Sequence, residues 1–214
     1  MLAAREKLNR RTLAKERRRQ QLIDATIKCI SQKGLGSTTL ADVAREAGLS
    51  QGIVNLHFDS KDNLLAETLR YLAEDYDFHF RQALEKSDPT PAAQLLSLME
   101  LDLKPSVCDR KKLAVWFAFW GEVKAVPTYQ AICSARERKY DDILRRLTEE
   151  IIRDGGYKGI DAKVTADALS SLTDGLWLSC LINPKIFDRS AAREAIVSYL
   201  RAVFPDHYKI ESET

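Results

Sequence analysis

Between Thr38 and Lys61 the sequence reads as two short helices around one tight turn, an arrangement that dictates much of what surrounds it. Leu40, Val43, Ala44 and Ala47 recur at helical spacing until Gly48, and Ile53, Val54 and Phe58 resume the pattern after Ser50. Thr39, with Asp42 three residues on, is placed as the N-cap of the first segment and Ser50 as that of the second. Gly48 suits a left-handed turn between them. Two helices joined in this way let the second protrude from a compact support. A helix from Arg17 to Lys33 is predicted before the pair, with Leu22, Ala25, Thr26, Cys29 and Ile30 on one face and Gly34 ending it. A long helix from Lys61 to Lys86 is predicted after it.

The same period continues to the C-terminus, with no alternating strand segment and no internal repeat. The Ser87-Asp88-Pro89-Thr90-Pro91 stretch breaks the fourth helix. Further helices are predicted at about 91–103, 109–125, 127–154, 162–182 and 189–204, punctuated by Pro105, Pro127, Gly155-Gly156, Gly159, Pro184 and Pro205. The expectation is an all-α chain of about nine helices: a basic N-terminal arm (1–16), a three-helix unit (17–62), a helical bundle (63–208) and a tail (209–214). At 214 residues the chain buries a sizeable core. Its four cysteines (Cys29, Cys108, Cys133, Cys180) form no CxxC pair, which fits a reducing compartment. The basic start lacks the apolar stretch of a signal peptide, and no run approaches a membrane span, so a soluble cytoplasmic protein is expected.

The net charge of +2 conceals an asymmetry. Arg5, Lys7, Arg10, Arg11, Lys15, Arg17, Arg18 and Arg19 against Glu6 and Glu16 leave the first 19 residues at +6 and the remainder at −4. A basic end on an acidic body is the layout of a chain that brings one end to a polyanion, although a solvating tail has the same composition. The helix after Ser50 favours the polyanion. The major groove of B-form DNA, about 12 Å wide, admits one helix with small or hydrogen-bonding side chains outside and apolar ones inside. Gln51 and Asn55 lie four apart on one face, and both amides pair bidentately with adenine; Gly52 between them permits close backbone approach. Phosphate contacts are expected from Arg17, Arg18 and Arg19, from Thr38 and Thr39, from Ser50 and His57, and from Lys61. The arm is expected to track phosphates or to enter the minor groove.

The run TTLADVAREAGLSQGIVNLHFDSK (38–61), with the preceding QLIDATIKCISQKG, resembles the N-terminal domain of TetR-family regulators. The resemblance covers residues 17–65 and implies a helix-turn-helix that binds double-stranded operator DNA. Many members of that family carry an aromatic residue where Asn55 stands, so the resemblance predicts DNA binding rather than a particular operator.

In the body, Trp116, Phe119, Trp120 and Val123 share one helix face, and Trp177 follows on a later helix within Asp174-Gly175-Leu176-Trp177-Leu178. Such a stripe serves as core; converging, it makes an aromatic cage. The pairing of WFAFW with DGLWL is similar to the choline-responsive BetI group of the TetR family, which represses glycine betaine synthesis. That resemblance implies a ligand pocket within the bundle and a homodimer through the last two long helices. A quaternary ammonium is held by aromatic faces, and Trp116, Phe119, Trp120, Tyr129 and Trp177 would supply them, with Glu122 or Asp174 as counter-charge. A regulator answering to a lipophilic drug or acyl thioester would use the same face as the wall of a larger apolar pocket. No cofactor or metal is expected, since His57, His79 and His207 are too dispersed for a metal site. An enzyme is not expected: H-E-x-x-H, Walker, G-x-S-x-G and G-x-G-x-x-G motifs are all missing.

Overall fold

The computed structural model describes residues 2–209, with side chains from residue 12 onward. Within them the chain is helical with no strand, and nine helices follow in order: α1 (Leu2–Lys33), α2 (Leu40–Ala47), α3 (Gln51–Phe58), α4 (Lys61–Lys86), α5 (Pro91–Leu101), α6 (Arg110–Glu122), α7 (Pro127–Gly155), α8 (Ala162–Ile182) and α9 (Arg189–Val203). The boundaries follow local chemistry. Thr90 caps α5 by accepting from the Ala93 amide, with Pro91 at the first helical position where its missing N–H costs nothing. Asp161 and Asp188 cap α8 and α9 through the Val164 and Ser190 amides. Gly34, at φ 83°, and Gly48, at φ 64°, end α1 and α2 in the left-handed conformation that a Cβ disfavours.

One boundary differs from expectation. The first helix begins at Leu2 rather than Arg17, so the segment read as a separate arm is a continuous extension of α1. The first 33 residues hold no glycine or proline and are rich in Ala, Leu, Arg, Lys, Glu and Gln, which lose little on entering a helix. The polar composition that suggested a tail is also that of a solvated helix. Residues 210–214, most of the expected tail, lie outside the described residues.

The chain forms two compact units: residues 1–72 with 114–132, and residues 73–113 with 133–214. In the first, Leu22, Ile23, Ala25 and Cys29 of α1 meet Val43, Ala44 and Ala47 of α2, Val54 and Phe58 of α3, and Leu64 of α4. Polar ties fix α1 to α2: the Gln21 amide donates to the Ala47 carbonyl at 2.7 Å, and Lys28 pairs with Glu46 at 2.5 Å. In the second, Leu144, Leu147 and Ile151 of α7, Leu169 of α8, and Ile196 and Leu200 of α9 are fully buried. All four cysteines are free and buried. No helix among the described residues is long and apolar enough to cross a membrane.

Candidate nucleic-acid interface and a buried aromatic box

The helix α3 is held from beneath. Val54 and Phe58 are buried and Ile53 is half-buried, while Gln51, Gly52, Asn55 and Leu56 are exposed. The exposed four form a continuous patch, since 51 and 55, and 52 and 56, each lie one turn apart. A Cβ built on Gly52 meets nothing closer than the Ser50 hydroxyl, at 3.8 Å, so the protein's own packing does not require glycine there. Leu56, 74% exposed, was not expected on this face. Ser50 stands at the N-cap in extended conformation, but its hydroxyl makes no capping bond and lies exposed at the start of the helix. Asp59 closes the far end at φ 61°.

The supporting helix α2 starts with a complete capping box. The Thr39 hydroxyl accepts from the Asp42 amide at 3.1 Å while Asp42 Oδ2 accepts from the Thr39 amide at 3.2 Å. Hydrogen bonds from Lys33 and Thr39 hold the Asp42 carboxyl well below the usual carboxylate range. Thr39 remains exposed, whereas Thr38 is buried and its hydroxyl donates to the Gly34 carbonyl at 2.8 Å, which turns it away from any surface partner.

The three arginines separate. Arg17 and Arg18 are exposed on α1. Arg19 pairs with Glu67 of α4 and places its guanidinium 5.7 Å from the Phe58 ring centre, so it pins α1 to α3 and α4 from within the protein. Lys61 Nζ donates to the Gly36 carbonyl at 3.2 Å, tying the start of α4 to the loop before α2. His57 is half-buried, and desolvation together with the charges of Lys15 and Arg18 lowers its pKa. The Arg19–Phe58 contact sets this stretch of α1 beside the C-terminal end of α3.

The residues expected around an effector are divided between the units. In the first, Trp116 and Trp120 of α6 lie 6.2 Å apart at 44°, and Phe119 meets Tyr129 of α7 edge-on at 4.8 Å and 85°. Phe119 and Tyr129 are buried, and burial raises the Tyr129 phenol. Glu122 is exposed at the end of α6. In the second unit, Asp174 is exposed, although the surrounding protein and the Glu137 charge push its carboxyl up to about 6.

Trp177 belongs to an assembly in the second unit that the sequence did not reveal. Its indole N–H donates to the Asp102 carbonyl at 2.8 Å, and its ring meets Tyr76 of α4 edge-on at 6.1 Å. Tyr76 and Tyr140 of α7 lie 6.0 Å apart at 70°, and each donates its phenol to one Asp102 carboxylate oxygen, at 2.9 and 3.0 Å. Into this box enters the guanidinium of Arg136, 4.1 Å from the Tyr76 centroid, 5.6 Å from Trp177 and 5.9 Å from Tyr140. The Arg136 side chain is 9% exposed and pairs with Glu137 at 2.5 Å. Burial raises the Asp102 carboxyl to about 6, against the opposing pull of Arg136 and the two phenols. The one legible signal was an acid inside the apolar run Leu101-Asp102-Leu103.

On the surface of the second unit, Val164, Ser171, Gly175, Leu178 and Ile182 make one exposed stripe along α8, and Ala191, Ala195, Ser198 and Ala202 make another along α9. Both recur at alternating three- and four-residue steps, or at a multiple of them.

Comparison with known proteins agrees with both halves of this arrangement. Residues 22–68 match the family model for bacterial regulatory proteins of the tetR family, and residues 91–205 match the model for the C-terminal domain of BetI-type transcriptional repressors. The HTH-type transcriptional regulator BetI of Paraburkholderia phymatum is 32% identical over 187 residues, covering 87% of this chain and 92% of its own length. The regulator of that name from Pseudomonas aeruginosa is 30% identical over 185 residues, covering 86% and 91%. Among solved structures, a transcriptional regulator from Pseudomonas aeruginosa superposes with a TM-score of 0.79 at 26% identity, covering 91% of this chain and 95% of its own. A regulator from Saccharomonospora viridis, solved in complex with choline, superposes at 0.77 with 22% identity, covering 86% and 95%, a likeness of fold. With an N-terminal helix-turn-helix, a helical C-terminal region and both family models matched, this chain belongs to the TetR family of transcriptional regulators and, within it, to the BetI-type repressors.

Proposed function

We propose that this protein acts in the cytoplasm as a homodimer that represses genes of glycine betaine synthesis, and that choline or a related trimethylammonium compound releases it from its operator. The observation that carries the DNA half is the exposed Gln51-Gly52-Asn55 face of α3 above a buried Val54 and Phe58. A helix anchored in this way offers amides to base edges and a bare backbone to the groove floor. Arg17, Arg18, Lys61, His57, Thr39 and the Ser50 hydroxyl flank it and would meet phosphates. Arg19 and Thr38 would act from inside, through Glu67, Phe58 and Gly34.

The dimer reading rests on the two exposed stripes of α8 and α9. Val164, Leu178 and Ile182 present apolar surface beside the small side chains of α9, as two helices need if they are to pack closely against a second pair. Light scattering should give twice the chain mass; a monomer at micromolar concentration would remove this part of the reading.

The effector reading draws on the BetI relatives, on the choline bound to the Saccharomonospora regulator, and on a cation already surrounded by three aromatic rings in the second unit. Its test is a fluorescence anisotropy titration of a complex between the full chain and DNA taken from beside its own gene. Millimolar choline should dissociate the complex, and sodium chloride at equal ionic strength should not. A complex indifferent to choline but released by an acyl thioester or an apolar drug would replace the effector and leave the DNA half intact.

A further inference from the structure

The box around Arg136 is built like a receptor for a cation. Tyr76, Tyr140 and Trp177 present faces within about 6 Å of one point, the range over which a ring quadrupole attracts positive charge. Asp102 adds a buried negative charge behind two of the rings. Each carboxylate oxygen accepts from one phenol, so the two tyrosines are held by the same acid whose charge they screen. A quaternary ammonium has no proton to donate, so it needs only the aromatic faces and the negative charge that this box supplies.

We infer that Tyr76, Tyr140, Trp177 and Asp102 form the cation-recognition box of this regulator, that the Arg136 guanidinium is its resident occupant, and that an effector cation enters by displacing it. The inference rests on the cation-effector reading above and adds to it the site and the competitor. Arg136 is suited to leave. It reaches the box from α7, which also supplies Tyr140 one turn on, and it already pairs with the half-buried Glu137 while its guanidinium lies among the rings, so a carboxylate partner moves with it on the same helix. Because the occupant is tethered, its effective concentration is of millimolar order, and the apparent affinity for effector falls by the fraction of time the box is filled. Exchange of one cation for another also keeps Asp102 compensated throughout, which a neutral ligand would not.

The experiment is calorimetric titration of the full-length protein with tetramethylammonium and, separately, methylammonium. Arg136→Ala should bind tetramethylammonium at least tenfold more tightly than the unaltered chain, prefer it to methylammonium, and lose the gain when Trp177→Ala is added. Methylguanidinium should raise the thermal midpoint of Arg136→Ala and leave that of the unaltered chain in place. A folded Arg136→Ala protein with unchanged tetramethylammonium affinity overturns the inference. Should Arg136→Ala fail to fold, Arg136→Lys retains the charge on a flexible stem with a more strongly hydrated head; it should still bind tetramethylammonium more tightly than the unaltered chain, and equal affinity overturns the inference. If Arg136→Ala gains affinity while the operator complex ignores choline, the box stands and the choline reading falls. If choline releases the operator while the Arg136 variants gain nothing, the choline reading stands and the box falls.

Discussion

At Gly52 the fold and the proposed DNA contact make opposite demands. Glycine in an exposed helix costs about 0.5–1 kcal/mol relative to alanine, and the space beside Gly52 accommodates a methyl group. Gly52→Ala should therefore raise the unfolding free energy by up to about 1 kcal/mol. Operator affinity should fall at least tenfold in the same protein if α3 enters the groove as proposed, because the added carbon would then face it. Chemical denaturation and anisotropy measured side by side check the opposed signs; a variant that binds as well as the parent would show that Gly52 does not approach DNA. At Asp102 the prediction concerns pH. Its carboxyl, raised by burial from an ordinary 3.8 to about 6, holds its proton more firmly folded than unfolded. The associated stability is fully present below pH 4 and lost as pH rises through 6, by up to about 3 kcal/mol. Asp174 shifts in the same direction, while the depressed Asp42 contributes above the usual carboxylate range and loses its contribution as pH falls below it. Asp102→Asn should flatten the decline in unfolding free energy between pH 4 and 7 without abolishing it; an unaltered slope would mean that Asp102 is not the titrating group. The capping role of Thr39 and the left-handed Gly48 were readable from sequence because both are local. The partners of Asp102, at separations of 26 and 38 residues, were not, because only the fold brings them together.

Among the helices, those with a capping residue or a proline at the boundary were legible to within a few residues: α4 ends before the Ser87–Pro91 break, α5 and α7 start on Pro91 and Pro127, and α8 and α9 follow Asp161 and Asp188. The start of α1 had no such mark. Its opening turns carry charge without apolar periodicity in the sequence, so the pattern marks the helix only from about Arg17. A helix of 32 residues is about 48 Å long, and its basic half continues past the Lys15 and Arg18 charges felt by His57. Should these turns meet DNA as proposed, they would do so as a helix and not as an extended arm. Removing residues 1–15 should weaken operator binding and reduce the slope of log affinity against log salt by about 0.9 for each phosphate that is no longer neutralised. An unchanged slope would return those turns to a solubilising role.

At the scale of the molecule, the family assignment was legible because the helix-turn-helix is a contiguous segment whose spacing is itself the motif. The aromatic residues expected around an effector differ in their surroundings. Trp116, Phe119, Trp120 and Tyr129 lie together in one unit, Trp177 lies in the other beside an arginine and two tyrosines, and no periodicity distinguishes a ring that packs from a ring that surrounds a charge. The central claim, that α3 reads an operator, is tested most directly by selection from random duplexes with the purified full-length chain. A two-fold-symmetric sequence should be enriched, with Asn55→Ala costing about 1–3 kcal/mol and relaxing preference at one position of each half-site. A selection that enriches no sequence, or an enriched motif that Gln51→Ala and Asn55→Ala both leave unchanged, would contradict it.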